Sequence, residues 1–335
     1  SIFKPGASAS PSCPARWYYE PRAMAAAVKK EQVPSFFEAL YAARDADAHE
    51  VADGLFLGAA RAAEDRKALQ KRRVSHVLIC HPALPEQHAK LFKYGRVPII
   101  DEPSANILEV LPGALSFLAG ARAKNGRAFV YCAKGISRSS SIVISYLMFE
   151  QRIGFDEAFK RCEQKRPIVY PNVGFQQQLR YLERVLSSPA LSSDAPWEER
   201  TRELRKVLPS GSLTDPQAPL NIMDEIGSVM GRALDDLEVN VDKVLAQPQL
   251  LQQRELWKRQ GLFFENLHKY KALPSSASLL DRAREAATKL KGLPKIFSDS
   301  LKGVKLALAV VKELEAWAAF AEPLLRQAPA PAAAA

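Results

Sequence analysis

The first 190 residues alternate short apolar runs with segments that repeat apolar residues every three or four positions. The apolar runs have turn-forming residues nearby and predict strands over Leu55–Gly58, His76–Cys80, Arg96–Ile99 and Ala128–Cys132. The repeating segments predict helices over Ala62–Arg73, Leu108–Ala123, Ser139–Gln151, Phe155–Lys165 and Gly174–Leu186. Because strands that alternate with helices pair mainly in parallel, the pattern predicts an α/β fold with a central, largely parallel (mixed) sheet flanked by helices.

The pattern changes after residue 187. Residues 188–218 mix Ser, Pro and charged residues and predict a linker around one short helix. From Leu220 to Val244 apolar residues recur at helical spacing, and further helices are predicted at about 249–272, 276–291 and 295–326, with breaks at Pro248, Pro274 and Pro294. The chain thus divides into a partly disordered N-terminal extension (1–47), an α/β domain (48–187), the linker, an all-α accessory region (219–326) and a low-complexity tail (327–335).

The composition is that of a soluble globular protein. With 47% hydrophobic and 25% charged residues, disorder along the whole chain is excluded. No apolar run approaches the ~18 residues that a membrane span needs. Four cysteines without a CxxC pair exclude a zinc ribbon or a disulfide scaffold and favour a reducing compartment, the cytoplasm or nucleus. Residues 1–30, rich in Pro, Ala and Ser, are interpreted as a disordered tail; the alternative is an N-terminal transit peptide remnant.

The positive charge lies in the N-terminal half. The net charge is +10, and residues 1–190 carry 27 Lys and Arg against 18 Asp and Glu, whereas residues 191–335 carry 20 against 19. Such an excess favours an anionic ligand for the α/β domain. No aromatic-basic stripe and no nucleic-acid-binding motif accompanies it, so the predicted ligand is a small anion and not a nucleic acid.

The segment from Val130 to Ser139 (VYCAKGISRS) joins the last predicted strand to a helix, and we call residues 132–138 the Cys132 loop. The backbone N–H groups of such a tight loop point inward, and the helix N-terminus adds about half a positive charge, so together they bind an anion. Gly135 provides backbone freedom, and the Arg138 guanidinium suits two phosphate oxygens. The same field lowers the pKa of a thiol at Cys132. From the spacing alone, a buried core cysteine and a surface arginine are an equal alternative.

The Cys132 loop resembles the signature H-C-x-x-G-x-S-R-S of cysteine-dependent protein phosphatases of the dual-specificity branch. Five further segments are similar to that family in the same order: EVADGLFLGAARAAED, KRRVSHVLIC, VPIIDEPSANI, SSSIVISYLM and KRPIVYPNVGFQQQL. The resemblance covers about residues 48–186 of the 335. It implies a phosphatase fold and the hydrolysis of phosphotyrosine and of phosphoserine or phosphothreonine, without a metal or an organic cofactor.

The resemblance also implies a role for each matching residue. Cys132 is the nucleophile that forms a phosphocysteine, and Arg138 clamps the phosphate. Asp101 is the general acid and base, with Glu102 as the nearest rival carboxylate, and Ser139 donates to the leaving sulfur. The substrate phosphate binds the loop residues Ala133, Lys134, Gly135, Ile136, Ser137 and Arg138. Asn172 supports the loop.

One residue departs from the family pattern, since Tyr131 occupies the position of the usual His. That His supports the loop and lowers the thiol pKa, so we expect a weaker catalyst with a higher pH optimum. Two alternative functions stay open: a pseudophosphatase that binds phosphoproteins, and a phosphoinositide phosphatase. The second has little support because Lys134 is the one lysine in the Cys132 loop, where it faces either a second phosphate or solvent.

Other features suggest partners and regulation. Cys80 ends a predicted strand at the edge where Cys132 lies, so a disulfide between them is a hypothesis against a plain core cysteine. The basic cluster Lys71–Arg73 is either a solvated helix end or a docking site for an acidic partner such as a protein kinase. The accessory region is interpreted as an antiparallel bundle, with an amphipathic membrane-surface segment near residues 295–320 as the alternative. No feature indicates an oligomeric state.

Overall fold

The structure is a computed structural model that describes residues 46–189, 191, 194–213, 219–247, 250, 254–269, 277–296 and 301–327. The predicted N-terminal extension and low-complexity tail lie almost entirely outside these residues. The remaining division into domain, linker and accessory region stays a prediction.

Five strands form one mixed sheet, which confirms the predicted fold class. The strands are β1 (His49–Ala52), β2 (Leu55–Ala59), β3 (Val74–Ile79), β4 (Lys93–Arg96) and β5 (Arg127–Cys132), in the order β1-β2-β5-β3-β4. β1 pairs antiparallel to β2, and the other pairs are parallel. Because parallel strands end at the same edge, the residues that follow β3, β4 and β5 meet there.

The strand predicted over Arg96–Ile99 is wrong in position, because β4 covers Lys93–Arg96. The Val97 amide still donates to the Ile79 carbonyl at 2.8 Å. Pro98 then has no N–H for the ladder, and the chain leaves the sheet. Val97 and Ile99 remain buried, so the apolar run belongs to a buried loop that leads to Asp101.

Within residues 46–189, six helices flank the sheet: α1 (Ala60–Glu64), α2 (Arg66–Lys71), α3 (Leu111–Arg122), α4 (Arg138–Gln151), α5 (Phe155–Lys165) and α6 (Val173–Leu186). The single helix predicted over Ala62–Arg73 is therefore divided in two. Asp65 interrupts it, and its side chain caps α2 by accepting a hydrogen bond from the Ala68 amide at 2.9 Å.

The two faces of the sheet have separate hydrophobic cores. Phe129 and Tyr131 of β5 face the smaller core, which includes residues of α1 and α2. Val130 and Cys132 face the larger core, which is formed with α3 to α6 and continues into the accessory region. Because side chains alternate along a strand, Cys132 points to the side where α4 begins.

The accessory region is helical, as predicted. α7 (Trp197–Val207) occupies the predicted linker, and α8 (Ile222–Ala246), α9 (Arg254–Lys269), α10 (Ala277–Ile296) and α11 (Leu301–Gln327) follow. The break predicted at Pro294 is wrong, because α10 continues to Ile296 and the proline falls in its last turn. The apolar face of α11 packs into the bundle, with Trp317 6.5 Å from the Phe264 ring of α9. None of the helices described is both long and apolar enough to cross a membrane.

Candidate active site

The Cys132 loop curls tightly between the end of β5 and the first turn of α4. Cys132 is the last residue of β5 and Arg138 the first of α4. Gly135 has a φ of +64°, and a methyl group added there would lie 2.5 Å from the Gly58 carbonyl oxygen. The curl therefore requires glycine for both its backbone conformation and its close approach to β2.

The Cys132 sulfur accepts two hydrogen bonds inside the curl. The Gly135 amide and the Ser139 hydroxyl each donate to Sγ at 3.2 Å. Burial alone would raise the thiol pKa, since residue 132 is only 1% exposed. The Arg138 guanidinium and the Ser139 hydrogen bonds outweigh burial and the nearby Asp101, and the pKa is lowered. The site thus favours the thiolate, which is the nucleophilic form of cysteine.

Asp101 lies against the same loop. Its Oδ1 accepts hydrogen bonds from the Ser137 hydroxyl at 2.6 Å and from the side-chain Nδ2 of Asn172 at 3.0 Å. Its Oδ2 lies 3.8 Å from Arg138 Nε. Burial opposes ionisation, but Arg138, Lys269 of the accessory region and these two hydrogen bonds lower the carboxyl pKa. The rival Glu102 is exposed to solvent.

Asn172 connects Asp101, the loop and α6. Its side-chain Oδ1 caps α6 by accepting a hydrogen bond from the Phe175 backbone N–H at 2.9 Å. The backbone N–H of Asn172 donates to Ser137 Oγ at 3.0 Å. A side chain at Gly174 would meet the Pro103 carbonyl at 2.1 Å, so the start of α6 packs directly on the segment that follows Asp101. These contacts fix the carboxylate relative to the loop.

Sequence reasoning missed Arg166, which orients the loop from behind. Its side chain is buried and donates from Nε to the Gly135 carbonyl and from Nη2 to the Lys134 carbonyl, both at 2.9 Å. The Tyr170 amide donates to the next carbonyl, of Ile136, at 2.9 Å. Arg166 and Tyr170 lie in the quoted segment KRPIVYPN, but nothing local in that segment reveals which atoms they contact.

The remaining predicted site residues lie around the loop in different environments. Ala133, Lys134 and Ile136 are partly exposed at its surface. Tyr131 lies in the smaller core: its hydroxyl donates to the Pro85 carbonyl at 3.0 Å, and its ring stacks on Phe129 at 5.4 Å. It therefore packs on the face of the sheet opposite to Cys132.

Two residues after β3 also reach this edge. The Cys80 amide donates to the Tyr131 carbonyl at 2.7 Å, which places Cys80 beside Cys132, and burial raises the pKa of its thiol. Burial and the positive charges of Arg138 and Arg96 lower the pKa of the His81 imidazole to about 4. His81 was given no role from the sequence. The disulfide between the two cysteines stays a hypothesis.

The basic cluster Lys71–Arg73 lies at the end of α2, on the surface. Lys71 and Arg73 are exposed, and Arg72 donates to the Ala68 carbonyl at 3.3 Å. A partner that binds this cluster stays a prediction.

The comparisons with known proteins agree with this geometry. The family model "Dual specificity phosphatase, catalytic domain" matches residues 55–185. A probable rhodanese domain-containing dual specificity protein phosphatase of Dictyostelium discoideum is 36% identical over 39% of this chain and 27% of its own. Dual specificity protein phosphatase 19 of Mus musculus is 36% identical over 38% of this chain and 57% of its own. The chain thus spans less than two thirds of either relative.

A solved structure, the human tyrosine phosphatase-like serine/threonine/tyrosine-interacting protein, is 30% identical over 42% of this chain and 98% of its own, with a TM-score of 0.41. The family match includes the Cys132 loop, Asp101 and Asn172. Four of the five strands, β2 to β5, and nearly all of the flanking helices α1 to α6 lie within the matched residues, whereas β1 precedes them. Through residues 55–185, the chain belongs to the dual specificity phosphatase family.

Proposed function

We propose that this chain hydrolyses phosphate monoesters of proteins, on tyrosine and on serine or threonine, through a phosphocysteine intermediate. One observation carries the proposal: the Cys132 sulfur and the Arg138 guanidinium belong to one curl of backbone, and the Asp101 carboxylate packs against that curl. A module that only binds phosphate has no need of a carboxylate held beside a thiolate. The combination is that of a nucleophile with its general acid.

In the first step the Cys132 thiolate attacks phosphorus, forming the S–P bond as the bond from phosphorus to the leaving oxygen breaks. Arg138 and the loop amides bind the equatorial oxygens, on which charge accumulates in the transition state. Asp101 donates its proton to the leaving oxygen. Its lowered pKa leaves it ionised in the empty site, and the negative phosphoryl group beside it favours its protonation.

In the second step water attacks the phosphocysteine, and the S–P bond breaks. The Asp101 carboxylate takes the proton from this water. Ser139 donates to Sγ at 3.2 Å in the structure, and the same hydrogen bond stabilises the sulfur as it leaves as a thiolate. Inorganic phosphate is then released, and the thiolate is restored. No step requires a metal or an organic cofactor.

Turnover of an aryl phosphate by the full chain tests the proposal. We expect hydrolysis by the wild type and none by Cys132→Ser, whereas Cys132→Ser still binds a phosphopeptide. Binding without hydrolysis by the wild type would instead identify a phosphoprotein-binding module. A substrate-trapping variant, Asp101→Ala combined with Cys132→Ser, would then capture phosphorylated partners and define the substrate.

A further inference from the structure

Two cations of the accessory helix α9 bind one carboxylate of the α/β domain. Glu163 of α5 lies 3.0 Å from Lys258 Nζ through Oε1 and 3.0 Å from Arg259 Nη2 through Oε2. The Lys258 side chain has no exposed surface, and that of Glu163 is only 14% exposed. A lysine buried this completely requires its partner, because an unpaired charge in the interior is strongly destabilising. The ion pair therefore fixes α9 on α5.

Glu163 is three residues from Arg166, the C-cap residue that follows the same helix. Arg166 donates to the carbonyls of Lys134 and Gly135 in the Cys132 loop. A shift of the end of α5 would therefore move these two hydrogen bonds. This is one route by which the position of α9 can affect the conformation of the Cys132 loop.

Tyr170 provides a second route. Its hydroxyl lies 3.5 Å from the carbonyl oxygen of Arg259 in α9, and its amide donates to the Ile136 carbonyl. Three consecutive carbonyls of the loop, those of residues 134, 135 and 136, are thus held by two residues near α9. Arg166 follows the helix that carries Glu163, and Tyr170 contacts α9 directly.

The carbonyls that are held from outside determine where the amides inside point. In a trans peptide unit the C=O and the following N–H point in opposite directions. The Lys134 carbonyl and the Gly135 N–H belong to the same unit, so when Arg166 binds the carbonyl, it turns the N–H toward the Cys132 sulfur. The hydrogen bond from the Gly135 amide to Sγ, one of those that the thiolate accepts, therefore depends on the orientation of Arg166.

We propose that α9 is a positioning element for the Cys132 loop, with Glu163 as the positioning residue that couples the accessory region to thiol ionisation. Weakening the contact of α9 with α5 relaxes Arg166 and Tyr170, turns the Gly135 amide away from Sγ and disfavours the thiolate. The inference builds on the proposed function, since it assigns the accessory region a part in activating its nucleophile.

Glu163→Gln in the full chain tests the inference. The readout is the rate of Cys132 alkylation by iodoacetamide against pH, followed by mass spectrometry of the Cys132 peptide. We expect the pKa from this profile to rise by about half a unit, and the acidic limb of kcat/KM for an aryl phosphate to move equally. Alkylation needs no turnover, so a chain that fails to hydrolyse phosphate would still test the coupling.

Glu238→Gln is the matched control. Glu238 of α8 binds Arg282 of α10 at 3.0 and 2.9 Å, so the substitution weakens an ion pair between two accessory helices. It should leave the alkylation profile at the wild-type position. A general loss of stability would affect both variants without moving the pKa of the thiol in the folded fraction.

A second variant covers the case in which Glu163→Gln does not fold because the buried Lys258 loses its ion pair with Glu163. The pair Lys258→Met and Glu163→Gln removes both charges at similar volume, and the same upward shift is expected. A folded Glu163→Gln or double variant with the wild-type alkylation pKa would overturn the inference, as would an equal shift in Glu238→Gln.

Discussion

Arg138 Nε lies 3.8 Å from Oδ2 of Asp101, so one guanidinium faces both the thiol and the carboxyl of the site. It lowers the pKa of both groups, although burial opposes the ionisation of each. The proposed reaction needs them in different states, a thiolate and a carboxylic acid. A bound phosphoryl group places the two groups in these different states. Its negative charge pairs with Arg138 and raises the pKa of the nearby Asp101 carboxyl, which favours its protonation, while the thiolate attacks phosphorus.

Ser137→Ala should shift the basic limb of the pH profile upward. The Ser137 hydroxyl donates to Asp101 Oδ1 at 2.6 Å and stabilises the ionised carboxyl, so its loss raises the carboxyl pKa. A general acid with a higher pKa stays protonated to higher pH. We expect the basic limb of kcat/KM to move up by about one unit, the equivalent of one hydrogen bond to a charged group.

The matched control is Ser145→Ala, which removes a hydroxyl that donates to the Ser141 carbonyl within α4. Its basic limb should coincide with that of the wild type. If the limb of Ser137→Ala also stays in place, the carboxyl that titrates there is not Asp101.

Tyr131→His should make the thiol a stronger acid. An imidazole at residue 131 would lie on the face of the sheet opposite to Cys132. Its N–H donor and, when protonated, its positive charge would act on the thiolate across the backbone of β5, which favours the ionised form. We expect the thiol pKa to fall by up to about one unit and aryl phosphate turnover below the wild-type optimum to rise by up to about tenfold. Alkylation of Cys132 and the acidic limb of kcat/KM both measure the effect.

Tyr131→Phe separates this effect from packing. It removes only the hydrogen bond to the Pro85 carbonyl and should lower the free energy of unfolding by about 1 kcal/mol, with the thiol pKa unchanged. Equal alkylation profiles for the His and Phe variants would show that residue 131 does not control thiol ionisation.

Gly135→Ala should abolish turnover and destabilise the domain. The added methyl group meets the Gly58 carbonyl oxygen at 2.5 Å, and the positive φ adds strain of about 1 kcal/mol or more. The control is Gly113→Ala in α3, where the new Cβ meets no atom within 4 Å apart from its chain neighbours and the backbone of its own helix, and a gain of about 0.5–1 kcal/mol is expected. Thermal unfolding and aryl phosphate turnover measure both variants, and an active Gly135→Ala would contradict this account of the curl.

The part of the site that could be predicted from the sequence is the part formed by consecutive residues. The Cys132 loop takes its shape from one short segment, and its glycine and arginine identify it without a structure. Arg166 could not be assigned in the same way, because its partners are the backbone carbonyls of residues 134 and 135. Every residue has a backbone carbonyl, so the sequence does not show which ones an arginine contacts. The predicted position of β4 is wrong because Pro98 ends the strand's hydrogen bonding inside an apolar run. The docking of α9 depends on Lys258 and Glu163, which are 95 positions apart.

Peroxide should link Cys80 to Cys132. Ile79 pairs with Tyr131 in the parallel register of β3 and β5, so the two cysteines are neighbours across the strand ends. Adjacent strands lie about 4.8 Å apart, which is within the Cα separations of disulfides. Peroxide oxidises the Cys132 thiolate to a sulfenic acid. The Cys80 sulfur then attacks it, the S–S bond forms, and the sulfenic oxygen leaves as water after taking the Cys80 proton.

Mass spectrometry of peroxide-treated wild type should find the Cys80–Cys132 peptide, and a thiol reductant should restore turnover. Cys80→Ser should instead lose activity irreversibly, because its sulfenic acid proceeds to higher oxidation states. Cys162→Ser is the matched control: this buried cysteine lies on α5, and its replacement should leave both linkage and recovery intact. If the wild type shows no linked peptide and the Cys80 variant recovers as well as the wild type, then Cys80 is a core residue and the thiol has no protecting partner in this site.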